Sequence, residues 1–363
     1  MTRQHADAPA RAWIEIDLGA LRRNGAALAR RSRVPLLPMI KADAYGLGAL
    51  PVARALESLE PWGFGVATVA EGAELRAGGI RRPIIVFSPL WDSDLDACRT
   101  HGLTPALGDR VAIERWATHA APWQLAIDTG MSRAGIQWND VDSIRELLAR
   151  SPPEGAFTHF HSADRNDGSR GRQEERFDAA VARLPARPRW LHAENSAAAE
   201  RAAPSRWDLI RPGIFLYGVG SGPGAQVVPE PVVSIRARIT ELRWLEPGET
   251  VSYAATWHAV GRRRIATLSL GYADGYRRSF SNRAIALVGG RRACVAGLVT
   301  MDMTMLDVTE IPCTVGDVAT QAGTDGDQRV DIIDLALAGD LSPYEVLTGL
   351  RGRMERIYID APA

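Results

Sequence analysis

The stretch VPLLPMIKADAYGLG, residues 34–48, sets a pattern that recurs as far as residue 211: a short apolar run, a polar or reactive residue at its end, and then a turn or helix. Within it, Lys41 is the only lysine of the chain, against 42 arginines. A compositional drift that exchanged lysine for arginine wherever charge alone mattered makes the exception informative. A guanidinium stays protonated, whereas an amine can lose its proton, attack a carbonyl and form a Schiff base. The competing explanation is a surface lysine kept by chance. Position speaks against it, because Lys41 follows an apolar run and so ends a strand, where α/β barrels place their chemistry.

Working outward, similar apolar runs cover 36–40, 64–69, 83–88, 103–107, 123–128, 156–161, 189–192 and 207–211. Between them lie segments such as VAEGAELRAGGI, DRVAIERWATHA, DVDSIRELLAR and RQEERFDAAVARL, with acidic or hydroxyl caps and apolar residues at helical spacing. Eight such β units alternating with α units predict a (β/α)8 TIM barrel. An open doubly wound sheet is the rival, but no GxGxxG follows the first strand. In a barrel the residues ending the strands face one site: Lys41, Asp128 with Thr129 and Gly130, His159 with His161, Asn195 with Ser196, and Arg211. His159 and His161 alternate, so only one of them points inward. Upstream, WIEIDL reads as a strand, and Asp17 as the N-cap of a helix.

The texture changes near Pro229. GSGPGAQVVPEP reads as a linker, and beyond it long alternating runs such as VVSIRARITELRWL, TVSYAATW and RRRIATLSLGYADGY follow without helices between them. Two short helical pieces, DIIDLALAG and SPYEVLTGL, precede a last strand, RMERIYID. The division expected is a barrel domain over 11–228 and a mostly β domain over 229–363.

The 363 residues are 46% apolar with zero formal net charge and a pI near 7.1, which gives nucleic acid or an anionic membrane no electrostatic footprint. Arg262, Arg263 and Arg264 read as a solvated strand face. Cys98, Cys294 and Cys313 have neither metal-ligand nor CxxC spacing, which points to no metal site and to a reducing, cytoplasmic setting. Residues 1–10 lack a signal-like apolar stretch and read as a loose tail, and no run is long enough to span a membrane. Met301, Met303 and Met305 alternate like core residues rather than a soft-metal site.

A barrel lysine that forms a Schiff base suits an aldolase, a decarboxylase or a pyridoxal 5'-phosphate (PLP) enzyme. PLP needs an amine, donors for a dianionic phosphate, and a group that sets the state of its ring nitrogen. Arg211 suits the ring nitrogen. The backbone amides at Gly213 and Ile214, with the hydroxyls of Ser196 and Tyr45, suit the phosphate. An arginine carries only donors, so a nitrogen it contacts must be unprotonated, which weakens the electron sink and suits a racemase better than a transaminase.

PMIKADAYGLGA, IDTGMSRAGI, THFHSAD, LHAENSAA, LIRPGIFLYG, ETVSYAATW, LGYADGYRR and GLVTMDM, in this order, resemble the alanine racemase family of fold-type III PLP enzymes over residues 11–360. The resemblance implies a homodimer whose active sites are shared between subunits and which interconverts L- and D-alanine for peptidoglycan precursors. It makes Lys41 both the PLP lysine and the base for the D-enantiomer, and Tyr253 the opposing base for the L-enantiomer. Loss of a proton on one face and its return on the other requires two such groups. His159 is implied to lie near the cofactor with Arg211. Arg133 and the Met301 amide are implied to hold the substrate carboxylate and the tyrosine oxygen, and Tyr272 or Tyr276 to line the entrance.

The departures concern mainly the substrate side. Many members carry a carbamylated lysine seven residues before the GMSR arginine, and here that position is Ala126. Ala254, Leu298 and Gly352 replace a usual glycine, arginine and phosphate-binding tyrosine. A racemase of serine or another amino acid is the alternative on the same scaffold. A non-catalytic PLP-binding homeostasis protein is the alternative of another class, although such proteins are single barrels.

Overall fold

The computed structural model describes residues 10–350 and 353–360, so the tail at 1–9 and the position of Gly352 lie outside the described residues. The chain divides into two compact units: Leu21–Glu230, and the described residues on either side of it.

In the first unit, parallel strands run in the order Phe64–Val66, Ile84–Val86, Thr104–Leu107, Gln124–Asp128, Gly155–Phe157, Trp190–His192. Segment 36–40 closes the ring. Leu36 bridges Ile210 and Met39 bridges Gly65, while Asn195 bridges Arg211 on the far side. All eight expected β runs are therefore staves of one barrel. Although Pro35 and Pro38 lack N–H groups, the first stave is bonded on both sides: Leu37 N–H donates to the Ile210 carbonyl and Met39 N–H to that of Pro212, while Ile40 N–H donates to the Gly65 carbonyl and Gly65 N–H to that of Pro38. Leu37, Ile85, Ala106, Ala126 and Phe157 fill the interior.

The first stave does not end in a glycine turn as the sequence suggests. Ala42, Asp43, Ala44 and Tyr45 all have φ between 52° and 58°, a left-handed helical turn of four non-glycine residues. Such residues cost about 1–2 kcal/mol each in this conformation. The surroundings must therefore hold the turn: Ala49 N–H donates to Asp43 Oδ1 at 2.7 Å, Ala44 N–H to the Ile40 carbonyl at 2.9 Å, and Ala42 N–H to Glu71 Oε1 at 2.8 Å.

The second unit is mostly strand. Val233–Leu245 pairs with Arg263–Leu268 and with Val318–Asp325, and the latter also pairs with Ile285–Val288. Through Arg291–Val295 and Thr304–Asp307 the six strands close on one another. The helical pieces form as expected at Ile332–Gly339 and Pro343–Gly349.

Strand Ala12–Asp17 falls inside the 11–228 stretch of the expected division, yet it pairs antiparallel with Val233–Leu245 and parallel with Glu355–Ile359 of this unit. It alternates, with Ile14 and Ile16 buried, and so suits a sheet with one covered face rather than a parallel stave buried on both. Asp17 then caps helix Leu18–Ser32 by accepting from Ala20 N–H at 2.9 Å, as expected. Ile14→Ala should cost about 2–5 kcal/mol. Limited proteolysis in mild urea should then cut first within 231–350 and spare Leu21–Glu230. First cleavage in the barrel would contradict the pairing.

Candidate active site

The buried Arg211 organises the barrel mouth. One terminal nitrogen donates to the His192 carbonyl at 2.7 Å and lies 2.9 Å from His192 Nδ1. The other donates to the carbonyls of Thr158 at 2.7 Å and Ala193 at 3.1 Å, and lies 3.4 Å from His159 Nδ1. No carboxylate among the described residues touches it. Burial pushes its proton affinity down to about 9, Glu194 works the other way and Arg133 adds to the lowering, so it remains cationic at neutral pH.

A cation this close decides the state of its neighbours. His159 is pushed down to about 3 by burial, then by Arg211, Arg133 and Lys41. His192 is held well below its ordinary value by burial and Arg211. Both imidazoles are neutral at working pH. Since a guanidinium only donates, His192 Nδ1 accepts; its proton sits on Nε2, which donates to Gln124 Oε1 at 3.2 Å. His192 and Gln124 escaped the sequence reading: His192 ends the run 189–192, but Asn195 and Ser196 were read as that stave's polar end, and Gln124 stands at the start of its strand rather than its end. His161 turns away to an exposed position beside Ser162, so of the two histidines it is His159 that faces inward.

Lys41 is half-buried. Burial and then the Arg133 guanidinium hold its amine below the ordinary lysine value, and Glu71 partly opposes them. Arg133 is solvent-exposed on the loop after Gln124–Asp128, where Asp128 Oδ1 accepts from Gly130 and Ser132 N–H. Gln173 and Arg176 brace the same loop through Thr129. Ala126 is buried among apolar side chains and offers Arg133 no polar group.

Tyr45, Ser196 and Gly213 converge. A Cβ added to Gly213 would stand 2.4 Å from the Tyr45 hydroxyl, so only glycine fits there. Ser196 Oγ accepts from Gly213 N–H at 2.8 Å and from Phe215 N–H at 3.3 Å. With both lone pairs engaged, its own proton points outward as a donor. Tyr217, another residue the sequence did not single out, packs its ring 4.6 Å from that of Tyr45 and donates to the Met39 carbonyl at 2.8 Å. The Gly213 amide faces the same cradle through Ser196, and Ile214 is buried beside it.

These residues fit PLP. The cradle of Tyr45, Ser196 and Ile214 offers donors suited to a phosphate, Arg211 has both terminal nitrogens engaged and its Nε outside those bonds, and Lys41 offers an amine.

In the second unit Tyr253 is not on a regular strand. Thr250–Val251 and Trp257–His258 form a short hairpin, and Tyr253 sits in the turn between them, 72% exposed. Ser252, Ala254 and Ala255 there all have positive φ. Tyr253, Tyr272, Arg278, Val299 and Thr300 line a cleft of about 420 Å³. Met301 and Met303 are also exposed, against the core role expected from their alternation; both lie in a turn, where a period of two carries no burial. Tyr276, in contrast, is buried. Among the described residues no cluster suits a metal ion, and no helix is long and apolar enough to cross a membrane.

Residues 16–221 match the alanine racemase N-terminal domain family and residues 232–358 the C-terminal domain family. The alanine racemase of Symbiobacterium thermophilum is 39% identical over 95% of this chain and 96% of its own, and that of Citrifermentans bemidjiense 38% over 95% and 98%. Among solved structures, alanine racemase from D-cycloserine-producing Streptomyces lavendulae superposes with a TM-score of 0.91 at 30% identity, covering 98% of this chain and 99% of its own. The Bartonella henselae enzyme, with covalently bound pyridoxal phosphate, gives 0.90 at 27%, covering 97% and 100%. With both domains matched in order and relatives aligned nearly end to end, this chain belongs to the alanine racemase family.

Proposed function

We propose that this chain interconverts L- and D-alanine, with Lys41 and Tyr253 as the bases on opposite faces of the substrate α-carbon. By family it is a PLP-dependent amino-acid racemase. The observation that carries the reading at residue level is the lone lysine sharing a barrel mouth with Arg211, a cation tied up by carbonyls and imidazoles on every nitrogen but Nε. Bound PLP supplies an electron sink that acidifies the α-carbon. The chain's own residues do the rest. Tyr45, Ser196 and the Ile214 amide hold the phosphate end, with Gly213 giving room. Arg211 faces the ring nitrogen as a donor and leaves it unprotonated. His159 stays neutral beside it, so it adds no second positive charge, and Arg133 and the Met301 amide orient the substrate carboxylate and the Tyr253 oxygen.

We also propose that the working form is a cytoplasmic homodimer in which Tyr253 serves the partner's Lys41. Tyr253, Tyr272, Met301 and Met303 are between 42% and 72% exposed, a large apolar area for one surface of a soluble chain. The product suits peptidoglycan precursors. Serine racemisation is the second reading, favoured only by the departures at Ala126, Ala254 and Leu298; a panel of amino acids assayed for racemisation separates the two.

Three outcomes are expected. In deuterated water, Tyr253→Phe should keep its cofactor and its α-proton exchange from D-alanine, while exchange from L-alanine falls by about 10²–10⁴; equal loss from both enantiomers would reject the two-face assignment. Mixing inactive Lys41→Ala and Tyr253→Phe chains should restore activity, up to about a quarter of the parent's, because half of the reassorted dimers carry one intact site. No recovery after demonstrated subunit exchange would place both residues in one subunit's site. Arg133→Ala removes a charge that lowers the Lys41 amine. The pH midpoint for capture of added PLP should therefore move up, and a midpoint that stays or falls would contradict the influence of Arg133.

A further inference from the structure

Three backbone amides from the exits of two neighbouring staves converge on one carboxylate. Glu71 Oε1 accepts from Ala42 N–H at 2.8 Å; Oε2 accepts from Ala67 N–H at 2.7 Å and from Thr68 N–H at 3.2 Å. The Thr68 bond completes the capping box of helix Val69–Ala77, in which Thr68 Oγ1 accepts from Glu71 N–H at 3.3 Å. Helix capping explains that pair, but a capping box does not reach across to another stave. The bond to Ala42 is therefore an additional function of the side chain.

Ala42 is the first residue of the left-handed turn and the residue bonded to the Lys41 carbonyl carbon. L-residues favour the right-handed region, so this run relaxes unless something holds its start. A carboxylate accepting from a backbone N–H makes a strong, short bond suited to that task. Helical periodicity puts positions four apart on one side whichever the hand, so the turn delivers Lys41 and Tyr45 together.

We propose that Glu71 is the positioning residue for Lys41: by pinning Ala42 N–H it holds the left-handed turn and fixes where the amine stands relative to Tyr45 and the phosphate cradle. This inference rests on the reading of Lys41 as the cofactor-holding amine. Its negative charge has a separate effect, raising the proton affinity of Lys41 against burial and Arg133.

The lone lysine makes the test specific. Full-length parent, Glu71→Gln, Glu71→Asp and, as a control on an exposed position of the same helix, Glu74→Gln are each given PLP over a range of pH. Capture is followed by visible absorbance and by borohydride trapping mapped to the peptide containing Lys41. A parent that traps no cofactor there refutes the reading of Lys41 and is told apart from failure of the clamp, which is judged only on the variants. Glu71→Gln should lower the plateau rate about tenfold or more, since a misplaced reacting group commonly costs up to 10². Its pH midpoint should move down, opposite in sign to Arg133→Ala, because a negative neighbour is gone. Glu71→Asp keeps the charge but is too short for the same reach: its midpoint should stay while its plateau rate falls, and it carries the comparison if Glu71→Gln does not fold. Glu74→Gln should match the parent. A plateau rate within twofold of the parent in Glu71→Gln or Glu71→Asp, even with a lowered melting temperature, leaves Glu71 as a helix cap only and overturns the proposal.

Discussion

A guanidinium buried without a carboxylate in contact is the constraint to which the barrel mouth answers. Arg211 meets its donors with carbonyls and imidazoles, and the acid whose charge opposes its lowering, Glu194, is engaged by Arg170 at 3.2 Å. This arrangement needs three carbonyls from the ends of two neighbouring staves beside the stave that carries Arg211, which a closed barrel supplies and an isolated helix or hairpin does not. It also fixes protonation. Next to a permanent cation in a poorly solvated place, His159 and His192 remain neutral, and the tautomer of His192 follows from the donor facing its Nδ1. One side chain thereby sets the electrostatics of the site.

Lys41 answers to burial and to a different cation, Arg133. Burial and nearby positive charge both favour the neutral amine, the form that reacts, so its environment resembles that of other lysines made nucleophilic by desolvation. The strain of the turn behind it belongs to the same economy of design. Left-handed backbone at four successive non-glycine residues persists only where its surroundings over-determine it, and such places cluster at functional sites.

One departure from the family pattern, Ala126, bears directly on Arg133. With Ala126 buried in an apolar layer, no side chain rising from that point of the stave steadies the guanidinium. Its loop is instead braced from beneath: Asp128 gathers two amides, while Gln173 joins the Thr129 hydroxyl to the His159 carbonyl at 3.0 Å. The backbone of the loop is held although the end of the arginine is exposed.

Much of this was legible in the chain itself. The eight apolar runs named the eight staves, and Lys41, His159, Ser196 and Arg211 stood out because stave ends combine apolar periodicity with one polar residue. Alternation told that only one of His159 and His161 faces inward. Composition and local pattern suffice for features set by neighbours in sequence. What depends on distant partners was hidden. WIEIDL reads as a strand, but its placement against Val233–Leu245 is a matter of which sheet has an open edge. The left-handed turn has no signature in KADAY, since one of the bonds that hold its start comes from Glu71, 29 residues away from Ala42. His192 ends one apolar run and Gln124 stands near the start of another, and only the pairing of staves brings His192 to Arg211 and Gln124 to His192. Tyr253 looked like a strand residue until the hairpin around it shortened to two pairs. The sequence by itself determined the order of elements and the residue types available for chemistry; the tertiary structure alone decided which of them meet, because long-range hydrogen bonds and burial depend on closure rather than on local propensity.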